Sequence, residues 1–145
     1  MPVLEQVLEK YPKDVKVVFK NFPLQNHKYA MKAAVAALAA DSQGKFWEFH
    51  DLLFKNYDKL DDQKIQDIAV AVGLKLEEYE KMKKDPAIQG KVKQDLADGR
   101  RAGVRGTPTV FINGRRLRDR SREGFQAAID EQLEKLGKTA SEPAS

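Results

Sequence analysis

The 145-residue chain contains no cysteine. That absence excludes an internal disulfide, a thiolate nucleophile, a cysteine-ligated zinc or iron–sulfur site, and any dithiol redox step by these residues alone. Histidine is nearly absent too. His27 and His50 are the only two, too few for a multi-histidine metal centre, although a carboxylate site is not excluded by that count. No stretch approaches the roughly 20 apolar residues of a membrane span. The opening residues, MPVLEQVLEKYPKD, lack the basic, apolar, small-residue order of a secretory leader. Charge of one sign is not in excess either: 26 Lys plus Arg stand against 22 Asp plus Glu, interleaved over most of the length, for a net +4.

What is present is the composition of one globular domain, 41% hydrophobic and 33% charged. A chain of this length buries roughly 70% of its unfolded surface, enough for a core without disulfides or a structural metal. Pro2 opens a short helix in which Val3, Leu4, Val7 and Leu8 share a face. Tyr11, Pro12, Lys13 and Asp14 break it, and Val15, Val17, Val18, Phe19 and Phe22 read as a largely buried strand that Pro23 ends. From His27 to Ala40 alanine dominates, which predicts a smooth, closely packing helix. Phe46, Phe49, Leu53 and Phe54 then fall on one helical face as core.

A helix over 61–72 follows, with Ile65, Ile68, Ala69 and Val72 inward and Gly73 as its cap. A short helix spans 77–84. Asp85-Pro86 starts a long one, with Ile88, Val92, Leu96 and Ala97 inward, running to about residue 102. Residues 109–112 read as a strand, Asn113-Gly114 as a two-residue hairpin turn with positive φ at both positions, and 115–117 as the return strand. Ser121 caps a closing helix marked by Phe125, Ile129, Leu133 and Leu136, and residues 139–145 read as a disordered tail. The order is that of an α/β layer carrying a helical insertion.

Several blocks of this sequence carry a resemblance: Phe19-Lys20-Asn21-Phe22-Pro23-Leu24, His27 with the alanine helix, Gln43 to Asp51, Ala71-Val72-Gly73-Leu74, and Gly103 through Gly114 with its Gly-Thr-Pro-Thr step and hairpin. With them the chain resembles thioredoxin-fold disulfide oxidoreductases of the DsbA class. The resemblance implies an N-terminally truncated thioredoxin-like α/β fold, a single domain over 1–138 with the helical insertion at about 27–102. It also implies a first strand and a C-x-x-C motif upstream of Met1, neither of which these residues contain. It makes Thr107-Pro108 a cis-proline loop, in which Gly106, Thr107 and Pro108 receive an extended polypeptide as an added strand. Gly106 would permit the close backbone approach. It implies no cofactor and no metal, and a periplasmic or cell-envelope setting.

Two function classes follow. One is the cysteine-less remainder of a thiol–disulfide oxidoreductase domain; the other is a redox-inactive polypeptide-binding module built on the same groove. Without the implied central strand, the strand over 15–22 and the one over 109–112 are expected either to close on each other or to take a strand from a second copy, giving a homodimer. His27 and His50 have no nucleophile or third ligand at a useful spacing, and Glu48, Asp51, Asp61 and Asp62 read as helix-face and cap charges. The eight arginines at 100, 101, 105, 115, 116, 118, 120 and 122 read as a solvated basic rim. No groove-reading helix or aromatic platform accompanies them, which argues against nucleic acid. Arg118-Asp119-Arg120-Ser121 also departs from the small, glycine-containing loop that the family usually carries after its hairpin.

Overall fold

A computed structural model of the protein describes residues 2–23 and 28–137. Its elements are α1 (Pro2–Lys10), α2 (Ala30–Asp41), α3 (Phe46–Lys55), a 3-10 turn (Tyr57–Lys59), α4 (Asp62–Ala71), α5 (Leu76–Lys83), α6 (Pro86–Arg101), the strands β1 (Val110–Ile112) and β2 (Arg115–Leu117), and α7 (Arg122–Lys135). They form two compact units. One combines Met1–Phe19 with Thr107–Ser145, and the other is Lys20–Gly106. His27 and the 139–145 tail lie outside the described residues.

The Lys20–Gly106 unit is helical because its sequence supplies both stripes and stops. In α2 the side chains of Ala33, Val35, Ala36, Ala37, Ala39 and Ala40 are buried, and the helix packs on α3, α4, α5 and α6. Methyl-sized side chains on that many positions let several helices approach one axis closely. Phe46, Phe49, Leu53, Ile65, Ile68, Leu74 and Tyr79 fill the space around it. The boundaries follow local chemistry. Asp61 accepts from the Lys64 N–H at 2.7 Å, Asp85 accepts from the Ala87 N–H at 2.9 Å ahead of Pro86, and each such cap contributes about 1 kcal/mol. Gly73, at φ +79°, ends α4.

One polar group in this unit is buried as deeply as the core. Asp95 on α6 is 1% exposed. Its Oδ2 accepts from the Asn21 backbone N–H at 2.9 Å and the Asn21 side-chain amide at 3.0 Å, and its Oδ1 accepts from Lys91 Nζ at 2.8 Å. One turn along, Asp98 accepts from Lys20 Nζ at 3.2 Å. The Phe22 ring lies against Gly99, where a Cβ would sit 2.6 Å from Cδ1. Positions 95, 98 and 99 share one face of α6, so this face receives the Lys20-Asn21-Phe22 segment residue by residue. Burial pushes the Asp95 carboxyl up, but the Asn21 N–H, then Lys91 and the Asn21 amide, outweigh it and hold the group below the ordinary carboxylate range.

Several sequence expectations are corrected. Residues 15–22 form no strand, and Val18 is 65% exposed. A β-branched run favours extended backbone, but a strand needs a ladder partner. Among the described residues the only sheet is β1 with β2, so direct closure of 15–22 on 109–112 does not occur. The apolar stripes also run past their packing neighbours. Phe54 and Leu136, expected as core, are 62% and 63% exposed, and Leu8 is exposed as well. Asp95, which the stripe of α6 passed over, is buried in their place.

Replacing Asp95 by Ala is expected to cost about 3 kcal/mol near neutral pH, because it leaves the buried Asn21 donors without an acceptor. The carboxyl titrates lower in the folded chain than in the unfolded one, so its contribution is present above pH 4 or so and fades as pH falls through the folded value. Urea unfolding at pH 7 and pH 3 checks this: the gap between wild type and Asp95→Ala narrows at the lower pH, whereas an equal gap contradicts the assignment.

Candidate functional site

The unit that carries Thr107 and Pro108 is built on α1, α7 and the hairpin. Val7, Tyr11, Phe125, Ile129 and Leu133 form its buried cluster, with Val3, Leu4, Val15, Val110, Ile112 and Leu117 packed against it. Tyr11, just beyond α1, is fully buried. Its hydroxyl donates to Asp130 Oδ1 on α7 at 2.7 Å. Burial first, then the Asp130 hydrogen bond and charge, push the phenol far above its ordinary value, so this donor keeps its proton and ties α1 to α7.

The hairpin follows from its turn. Asn113 at φ 47° and Gly114 at φ +80° make the turn left-handed at both central residues. The register is Val110↔Leu117, Phe111↔Arg116 and Ile112↔Arg115. Val110, Ile112 and Leu117 therefore face the cluster, and Phe111 faces the other way, 39% exposed. Ile112 and Arg115 flank a two-residue turn and form a hydrogen-bonded pair. By alternation the Phe111 N–H and C=O point away from β2, toward an edge that no other strand covers among the described residues.

Pro108 lies two residues before this edge. The Thr107–Pro108 peptide bond is cis, as the resemblance implied, and both residues are exposed. Gly106 is half-buried, has no left-handed φ, and would place a Cβ in open space. The fold does not demand glycine there.

The loop after the hairpin holds contacts that sequence reasoning missed. Arg120 Nη1 donates to the Pro108 carbonyl. Asp119 Oδ1 accepts from the Ser121 N–H at 3.0 Å, and Ser121 Oγ accepts from the Gly124 N–H at 3.1 Å, capping α7. The Asp119 backbone lies directly over Gly124: a Cβ on that glycine would clash with the Asp119 carbonyl and sit 2.6 Å from its Cγ. A glycine in the first turn of a helix was the available signal, since such a glycine usually has a packing reason.

The other candidates separate from this site. His50 is buried in the Lys20–Gly106 unit with Phe54, Trp47 and Phe46 ring centroids at 4.5, 5.5 and 5.7 Å. Burial lowers its pKa, against the nearby Asp51 carboxylate at 3.6 Å. It packs as an aromatic ring. Asp61 is a cap, and Asp62 pairs with Lys32 at 2.9 Å. No helix among the described residues is long and apolar enough to cross a membrane.

A family profile described as "DSBA-like thioredoxin domain" matches residues 1–130. Among solved structures, a thioredoxin-like oxidoreductase from Silicibacter pomeroyi aligns at TM-score 0.78 and 24% identity, over 92% of this chain and 77% of its own. The thiol-disulfide exchange protein alpha-DsbA2 from Wolbachia pipientis aligns at 0.76 and 23%, over 90% and 72%. These likenesses show the fold. Among curated relatives, Na(+)/H(+) antiporter NhaA 3 of Salinispora tropica is 38% identical over 79% of this chain and 18% of its own length. Na(+)/H(+) antiporter NhaA of Herminiimonas arsenicoxydans is 34% identical over 72% and 17%. The chain thus spans less than a fifth of the curated relatives it matches.

Gly124→Ala is expected to destabilise the chain by roughly 1 to 3 kcal/mol, because backbone must move to admit the methyl group. Gly90→Ala on α6, where a Cβ meets nothing within 4 Å, is expected to stabilise by about 0.5 to 1 kcal/mol. Thermal melts of the two variants check the contrast, and equal melting temperatures contradict it.

Proposed function

The chain belongs to the DSBA-like thioredoxin domain family, and from that premise we propose that it is the polypeptide-docking part of a thiol–disulfide oxidoreductase domain. We read its two units as one thioredoxin-like domain with a helical insertion. These 145 residues hold no cysteine, so any thiol pair that serves the site comes from outside them. In such a domain a thiolate at a helix N-terminus, its pKa depressed by the helix dipole, exchanges with a substrate disulfide. The part played by this chain is to hold the substrate strand beside it.

The observation that carries the reading is the edge of β1. Phe111 points its N–H and C=O away from β2, three residues after Pro108 and four after Thr107. An extended polypeptide satisfies such groups by adding as a strand. In this reading Thr107 and Pro108 continue the docking line from Phe111, and a Cβ on Gly106 would meet nothing within 4 Å. Ion antiport belongs to the names of relatives of which this chain is under a fifth, and nothing in the docking reading draws on it. The alternative of a redox-inactive polypeptide-binding module rests on the missing cysteine and uses the same edge.

Titration of the isotope-labelled chain with an extended model peptide tests the docking. Amide shifts are expected to concentrate on Gly106, Thr107 and Phe111. A second copy of the chain competing for this edge would move the same amides with protein concentration before peptide is added. Shifts confined to α3, α4 and α5, or none at all, overturn the reading. Disulfide exchange by the chain alone is expected at the level of a protein-free control.

A further inference from the structure

Arg116, Arg118 and Arg120 are brought round a recess of about 400 Å3 whose remaining lining is Pro108 and Leu117. The placement follows from the backbone. Arg116 lies on β2, and Arg118 follows directly after the strand, where the chain bends. Arg120 is drawn in by its hydrogen bond to the Pro108 carbonyl. The loop between them is seated by Asp119 over Gly124 and closed by the Ser121 cap.

Among the described residues none of the three arginines is paired with a carboxylate. Arg115, by contrast, pairs with Glu131 at 3.5 Å. The one acid within the loop, Asp119, turns its Oδ1 to the Ser121 N–H. Arg120 binds a neutral carbonyl and keeps its charge. Three like charges held around one concavity repel each other until an anion enters, and a guanidinium fork fits a carboxylate bidentately.

We propose that this recess selects the sequence of the docked strand: Arg116, Arg118 and Arg120 recognise Asp and Glu side chains of an extended acidic polypeptide lying beside Pro108. The inference rests on the docking reading above and adds a substrate class to it. Phosphate would meet the same charges, but the recess offers Pro108 and Leu117 where a nucleic-acid site stacks bases on aromatic rings.

The test compares two labelled extended peptides that differ only by Glu→Gln at alternate positions, together with an oligothymidylate, by fluorescence polarisation. For the wild-type chain the Glu peptide is expected to bind about tenfold tighter, the sum of a few exposed charge pairs. That preference should shrink between about 0.1 M and about 1 M salt, as the screening length falls from about 10 Å to about 3 Å. Arg116→Gln/Arg118→Gln is expected to lose the preference while keeping the affinity for the Gln peptide, which also reports that the variant is folded. Equal binding of both peptides to wild type overturns this inference and leaves the docking reading standing. Binding of neither overturns both. Tighter binding of the oligothymidylate than of the Glu peptide overturns it in favour of nucleic acid.

Discussion

Backbone hydrogen-bonding groups must be completed, and in this chain that constraint falls on β1. The hairpin supplies β1 with one neighbour, and the Phe111 N–H and C=O point to the other side. The core of this unit fixes the arrangement. Val110, Ile112 and Leu117 are held against Val7, Tyr11 and Phe125, and a one-residue slip in register would turn them outward. The uncovered edge is therefore a consequence of packing: apolar side chains lock the strand, and the locked strand presents its edge.

The loop that brings Arg120 to the Pro108 carbonyl depends on one small residue. Gly124 lets the Asp119 backbone lie on the first turn of α7, and from that seat Arg120 reaches the Pro108 carbonyl. A charged loop of this kind would be expected to wander on a protein surface. Here the Ser121 cap and the Asp119 turn hold it in place, so like charges stay gathered around one recess. In the other unit a similar economy operates with opposite sign: Asp95, buried on α6, gathers donors from Asn21 and Lys91 and so anchors a segment that joins no sheet among the described residues.

Much of this was legible in the residues themselves. Asp61, Asp85 and Ser121 mark helix starts because a short side-chain oxygen satisfies an orphan N–H, and each caps as expected. Asn113-Gly114 specified the hairpin and its register. The family blocks pointed to Thr107-Pro108 and its cis bond. Less legible was whatever depends on residues far apart in sequence. A valine-rich run over 15–22 has strand composition, but strands are made by neighbours, and none is present among the described residues. Nothing near Asp95 in sequence marks it as buried, because its partner Asn21 lies 74 positions away. The Arg120 contact with Pro108 spans the hairpin and is set by loop geometry that composition does not encode.

The account treats this chain as the docking part of an oxidoreductase domain, with the redox chemistry supplied by thiols outside these 145 residues. The most direct test is the intact mass and thiol titre of the native gene product isolated from its source cells. The account predicts a product heavier than these residues, with a pair of thiols that titrate and exchange with a disulfide. A product of just this mass with no titratable thiol would contradict it and leave a polypeptide-binding module without redox chemistry.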